Sequence, residues 1–266
     1  MSWSTLKTEA VIINSYPIRE ADRRYSALTK NFGKLSFLGR GAGKIKAKLA
    51  PHLEPFAIVD LEVVQGRRST TVISVEKKVS FTNIAGSFNK RILALHSLSW
   101  LNRQINEGEQ DPSLYIELLI WLKFLNNSPE LTPRRSAFVM GAFLLKIMSI
   151  LGYGAELKRC LSCKGEIFPL AFRWHGGRGG LVCSDCVKKD LQEWFAARRL
   201  EEDAVRMLRA ATDMRYYDLL KIRLSSEMLS DFLQTVNDLA AYHLPYGSES
   251  PFWSGLAALE GDSKIM

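Results

Sequence analysis

The chain has 266 residues, 47% of them hydrophobic and 24% charged, with a formal net charge of +8. That balance suits an ordinary globular protein of one large domain or two to three small ones. The opening MSWSTLKTEAVIINSY lacks the basic segment and unbroken apolar stretch of a signal peptide, and the longest apolar run, Ser136 to Gly152, is broken by Lys146 and falls short of the roughly 20 residues a span requires. A soluble, cytoplasmic protein with no membrane contact is expected.

The first third has strand texture. Glu9–Ile13, Tyr25–Thr29, Lys34–Leu38, Phe56–Val64 and Thr70–Val75 are short, rich in β-branched residues and separated by Gly, Pro, Asn or charge clusters. Five short strands at that spacing predict a small closed barrel of the OB type. The basicity sits here as well: residues 1–80 hold 14 Lys and Arg against 7 Asp and Glu, so seven of the eight net charges fall in this segment. Positive charge concentrated in one small module suits a phosphate backbone, because each neutralised phosphate releases condensed counterions. A solvated basic surface is the alternative reading of the same surplus.

Within that segment, Phe37–Lys48 reads FLGRGAGKIKAK. It is not a nucleotide-binding P-loop, since Leu38 stands where the first Gly is required and Ile45 follows Lys44. It reads instead as a glycine-rich loop between strands whose Arg40, Lys44, Lys46 and Lys48 can follow a phosphate backbone, or as a solvated hairpin tip. Arg19, Arg23, Arg24, Lys34, Arg67 and Arg68 complete the candidate set of cations for a phosphate backbone, each also able to serve in an ordinary ion pair. Phe32 and Tyr25 are candidate platforms for base stacking or members of the barrel core.

From about Phe81 the period becomes helical. Ile92, Leu95, Leu98 and Ile105, then Leu118, Leu119, Leu122 and Leu125, then Phe138, Phe143, Leu144, Ile147 and Leu151 recur every three to four residues. Pro112, Pro129 and Pro133 separate the stretches, Asp111 and Thr132 are placed as N-caps, and Gly152 and Gly154 end the third helix. Two more helices are expected over 188–211 and 215–243, the second carrying Leu219, Leu220, Leu229, Phe232, Leu233, Val236 and Leu239.

Every cysteine lies between the third helix and these last two. Cys160-x2-Cys163 and Cys183-x2-Cys186 match a two-knuckle zinc site, because two intervening residues turn both thiolates of a knuckle to one side. Paired disulfides do not suit a reducing cytoplasm, and a thioredoxin-like pair accounts for one CxxC only. Four thiolates leave no open position for water, so one structural Zn2+ is expected rather than a catalytic one. His175, between the knuckles, reads as a surface residue. No HExxH motif and no deaminase HxE…PCxxC pattern occurs, and the four histidines are scattered, so no enzymatic activity is expected.

The expected fold class is therefore α+β: an N-terminal five-stranded OB-fold barrel over residues 1–80, an all-helical domain over 81–159 and 187–255, an inserted four-cysteine zinc-binding subdomain over 160–186, and a tail over 256–266. The residues Lys7-Thr-Glu-Ala, Arg19-Glu-Ala-Asp-Arg23, Thr29, Gly33-Lys34, Arg40-Gly-Ala, Lys44-x-Lys46, Leu49 and Glu54-Pro-Phe56 resemble the start of the bacterial RecO family of DNA repair and recombination mediators. Leu151-Gly-Tyr, the two CxxC knuckles with Gly179-Gly180 between them, and Tyr242-His-Leu extend the resemblance in the same order to about residue 255.

The resemblance implies a nucleoid-associated protein that binds single- and double-stranded DNA and anneals complementary strands. It also implies joint action with RecR to load RecA on strands coated by single-stranded DNA-binding protein (SSB). Some relatives dock the acidic, phenylalanine-ended SSB C-terminal tail through a cation, and this chain has Glu249 at that place. An RNA-binding or transcription-associated protein is the alternative that a basic barrel and a zinc knuckle also suit; a preference for single-stranded DNA together with annealing separates the two.

Overall fold

Alternation of apolar residues decides the first element of the chain. Ala10 and Ile12 point inward from β1 (Ser4–Pro17) and join Tyr25 and Ala27 of β2 (Arg23–Thr29) and Phe37 of β3 (Gly33–Gly39) in one buried cluster. Val59, Leu61 and Val63 of β4 (Ala57–Gln65) and Val72 and Val75 of β5 (Thr70–Ser80) complete it. The computed structural model describes residues 4–18, 20–44, 47–168 and 171–247. Its first five strands close in the order β1-β2-β3-β5-β4, as an OB-type barrel does.

Closure depends on one long strand used twice. The first half of β1 pairs with β4, from Ser4↔Gln65 to Val11↔Ile58, and the second half pairs with β2, from Ala10↔Thr29 to Pro17↔Arg23. A register shift between Ile12 and Asn14 lets the strand bend between its two partners. The sequence pattern placed the last strand at Thr70–Val75, but β5 runs on to Ser80 because Glu76 and Lys77 still pair with Asp60 and Val59.

Three helices follow within the same compact unit, residues 1–128: α1 (Thr82–Gly86), α2 (Phe88–Gln104) and α3 (Pro112–Asn127). Asp111 caps α3 by accepting from the Ser113 N–H at 2.8 Å, with Pro112 at the first helical position.

The second unit, residues 129–266, is built around α4 (Pro133–Ile150), whose Phe138, Val139, Phe143 and Ile147 are fully buried. Thr132 caps α4, and Gly152, at φ +89°, ends it in the left-handed conformation glycine tolerates. The two-stranded ribbon of β6 (Phe172–His175) and β7 (Gly180–Cys183) comes next, then α5 (Ser184–Lys189), α6 (Glu202–Asp213), α7 (Tyr216–Leu219) and α8 (Ser226–His243). Phe232 of α8 meets Phe138 of α4 edge to face at 5.0 Å.

The expected helix over 188–211 does not form as one element. Residues 191–196 are turns and no helix resumes before Glu202, because Trp194 is buried into the cysteine subdomain beside Val182, Cys186 and Val187 and draws the chain off the helical path. Arg198 then pairs with Trp174 through two backbone N–H···O bonds of 2.9 Å, which extends the ribbon by one bridge.

Candidate nucleic-acid interface and metal centre

The glycine-rich loop is docked rather than loose. The Gly41 N–H donates to Asp22 Oδ1 at 2.8 Å and the Gly43 N–H to the Ala21 carbonyl at 2.9 Å. Gly41 sits at φ +68°, and a Cβ on Gly43 would press on the Ala21 and Glu20 backbone at 3.3 Å. Glycine suits both places, one for its backbone angle and one for close approach.

This docking closes the open end of the β2–β3 hairpin. Arg23 and Arg24 pair with Gly39 and Leu38, so the start of β2 lies beside the loop that carries exposed Arg40 and Lys44. Exposed Lys48 follows closely. Among the described residues, no hydrogen bond or ion pair engages the side chains of Arg24, Arg40, Lys44 or Lys48. Arg23 is more constrained, donating to Ser15 Oγ at 3.1 Å. Arg19 and Lys46 lie outside the described residues.

Three other candidates lie elsewhere. Lys34 is half-buried at the opposite end of β3, about 13 Å along the strand from Leu38. Its ammonium donates to the carbonyls of Asn102 at 2.5 Å and Ile105 at 3.1 Å, closing the C-terminal end of α2. Burial holds its pKa below the ordinary lysine value, against the opposing pull of Glu107. Arg67 and Arg68 are exposed on the turn between β4 and β5. Because β5 runs parallel to β3 at Leu38↔Thr71, that turn leaves the pairing in the direction opposite to the Arg40 loop.

The aromatic candidates also separate. Tyr25 is 3% exposed and stacks on Phe37 at 5.7 Å, so it is core and not a platform. Phe32 is half-buried. Sequence reasoning missed Tyr16, which is 47% exposed and lies directly opposite Arg24 across the β1–β2 ladder. Directly opposed residues share one face of a sheet. An exposed ring beside a cation at the rim of the barrel is the arrangement that binds unpaired bases.

The second site is the cysteine cluster. The four Sγ atoms of Cys160, Cys163, Cys183 and Cys186 all lie within 4.8 Å of one another, with Cys163 and Cys183 at 4.0 Å. A tetrahedral metal with sulfur bonds of about 2.3 Å needs edges of about 3.8 Å, so the cluster could hold a metal ion after slight contraction.

Local backbone forms both knuckles. The Lys164 N–H returns to the Cys160 carbonyl at 2.9 Å, with Lys164 at φ +60°, and the Cys160 N–H donates to Gly165 O at 2.8 Å. The second knuckle is the step from β7 into α5, where the Cys183 N–H donates to Cys160 Sγ at 3.3 Å. Burial opposes charge on both of these thiols. At Cys160 the N–H groups of Cys183, Cys163 and Ser162 outweigh it and bring the pKa down to about 6, while burial and the neighbouring thiols push Cys183 up to about 12. Four thiols gathered this closely, one of them ready to ionise, are a donor set that a cation completes.

His175, read from its place in the linker as a surface residue, is partly covered and serves the fold. It is half-buried, its Nδ1 accepts from the Arg178 N–H at 3.2 Å, and its ring meets Trp194 edge-on at 5.6 Å. Burial, with Arg178 nearby, lowers its pKa.

Comparison with known proteins matches both parts of this architecture. The family model described as Recombination protein O N terminal covers residues 1–81, and that described as Recombination protein O C terminal covers residues 87–250. A DNA repair protein RecO from Dehalococcoides mccartyi is 25% identical over 85% of this chain and 85% of its own. One from a Thermoanaerobacter species is 26% identical over 90% and 92%, and one from Frankia casuarinae is 31% identical over 68% and 72%.

Proposed function

The chain belongs to the RecO family, and from that premise we propose that it is a non-enzymatic mediator of recombinational DNA repair that binds single- and double-stranded DNA and anneals complementary strands. The observation that carries this reading is the docking of the Gly39–Lys44 loop on residues 20–22, which gathers Arg23, Arg24, Arg40 and Lys44 at one rim of the barrel with Tyr16 exposed among them. Annealing requires no nucleophile or general base. It requires cations that screen two phosphate backbones and leave the bases free to pair.

On this account Arg24, Arg40, Lys44 and Lys48 meet phosphates, together with Arg19 and Lys46, and Tyr16 offers a stacking face. Arg67 and Arg68 extend the contact to a second stretch of strand. Lys34 belongs to the fold and not to the DNA-facing set. As functional divisions, residues 1–80 carry DNA, the helices α1 to α4 and α6 to α8 each support the fold of their own unit, and the 160–186 insertion holds the metal. The cysteine cluster holds one zinc ion, whose closed thiolate shell supplies rigidity and no reactive position.

The family's partners follow: RecR, SSB and, through them, RecA. Glu249, at the place where a cation would meet the SSB tail, lies outside the described residues. Among those residues no helix is long and apolar enough to cross a membrane, which accords with a cytoplasmic, nucleoid-associated protein. The mediator step is tested by RecA filament formation on SSB-coated single-stranded DNA. The expected result is a shorter lag when this protein and RecR are added together and no change with either alone. An unchanged lag with both present would remove the RecR–RecA part of the reading.

A further inference from the structure

Behind the second knuckle the chain buries one aromatic ring and leaves the next in solvent. Trp194 is 2% exposed, with the Arg178 guanidinium 4.6 Å from its ring, whereas adjacent Phe195 is 84% exposed. Phe195 is the most exposed large hydrophobic side chain among the described residues, and nearby Leu191 is 67% exposed.

The backbone that presents Phe195 is fixed on both sides. The Glu193 N–H donates to Asp190 Oδ1 at 2.8 Å, the Trp194 N–H to the Asp190 carbonyl at 3.3 Å, and the Ala197 N–H to the Trp194 carbonyl at 2.9 Å. Trp174 and Arg198 then exchange two backbone bonds of 2.9 Å. A ring exposed on so constrained a backbone contributes little to the core, and the chain that carries it is ordered before a partner binds.

Cationic residues flank the segment in sequence, and its two acids are engaged, Asp190 with the Glu193 N–H and Glu193 with Arg178. Lys188, Lys189 and Arg199 are exposed, and among the described residues no ion pair engages them. Residues 154–200 hold nine Lys and Arg against five Asp and Glu, a local surplus hidden by the near-neutral balance of the chain beyond residue 80.

We propose that this surface is a second contact for single-stranded DNA, in which Phe195 stacks on an unpaired base and Lys188, Lys189 and Arg199 meet the flanking phosphates. The proposal rests on the mediator reading and deepens it, since annealing brings two strands together and a chain with two separate strand contacts can hold both. A phenyl face accepts any base, which gives affinity without sequence preference. Duplex DNA keeps its bases stacked inside and offers the ring nothing equivalent.

The test uses the full-length, metal-loaded protein and measures binding to an oligo-dT strand and to a duplex across a salt series. Phe195→Leu and Phe195→Trp are compared, both in the wild-type chain and with Arg40, Lys44 and Lys48 replaced by Ala to reduce the barrel's share of the affinity. Phe195→Leu should weaken single-strand binding about tenfold, Phe195→Trp should retain it, and duplex binding should not change. Lys188→Ala with Lys189→Ala should flatten the single-strand salt slope by up to about 1.4.

Because Phe195 is so exposed, the variants should melt with the wild type. Unchanged single-strand affinity in Phe195→Leu overturns the proposal, as does an equal loss on strand and duplex. Equal loss in Phe195→Leu and Phe195→Trp, or retention in both, also contradicts stacking. Failure of the wild-type chain to bind any strand would take down the mediator reading as well, an outcome distinct from these.

Discussion

Replacing Cys160 with Ser is expected to strip the metal from the cysteine cluster and lower the melting temperature of the second unit by about 10 °C or more. In small finger peptides structural zinc supplies about 10–16 kcal/mol of apparent binding free energy. That is comparable with the about 5–15 kcal/mol net stability of a whole domain. The cysteine subdomain has a small core of its own, chiefly Val182, Val187, Trp194 and Ala197 around the buried thiols.

The damage would not stay local. His243 of α8 places Nε2 3.1 Å from the Gly176 carbonyl, and the Tyr242 ring lies so close over Gly176 that a Cβ there would touch it at 3.0 Å. Arg198 reaches Asp238 at 3.1 Å and Thr235 at 2.7 Å. Metal analysis and calorimetry check this together. One metal ion retained per chain with an unshifted transition would contradict the structural role.

The second large effect lies on the barrel. With Arg40, Lys44 and Lys48 changed to Ala, affinity should fall on every DNA sequence and the duplex salt slope should flatten by up to about 2.7, at about 0.9 for each phosphate no longer neutralised. Lys34→Met provides the contrast. It should leave that slope unchanged and lower stability by about 1–3 kcal/mol, because the carbonyls of Asn102 and Ile105 lose a charged donor. The same slope change in Lys34→Met would mean that its ammonium faces DNA instead of those carbonyls, and an unchanged slope in the triple variant would mean that the loop cations are solvated and idle.

These contrasts follow the division between what the sequence carries locally and what it does not. Inward alternation at Ala10, Ile12, Tyr25 and Ala27 is a short-range pattern, and the barrel it specifies was legible from it. The two knuckles were legible for the same reason, since a two-residue spacing sets the direction of both thiols whatever surrounds them. Asp111 and Thr132 act as caps through N–H groups two and three residues away.

Long-range partners were not legible. Lys34 meets carbonyls 68 and 71 residues later, which nothing near it announces. Asp22 stands next to arginines in sequence, yet its carboxylate accepts from the Gly41 N–H nineteen residues on. The stretch 188–211 has helical composition, but burial of Trp194 and the Trp174–Arg198 pairing outweigh local propensity over residues 190–201. Tyr16 carried no signal of its own, and its importance comes from the register that sets it opposite Arg24.

The most direct measurement of the central claim is annealing of two complementary oligonucleotides, followed by fluorescence without nucleotide over a salt series, with one strand bare or coated by SSB. The account predicts fast annealing that slows steeply with salt and depends on Arg40, Lys44 and Lys48. No acceleration over the spontaneous rate at any salt, or an acceleration indifferent to those three residues, would contradict it.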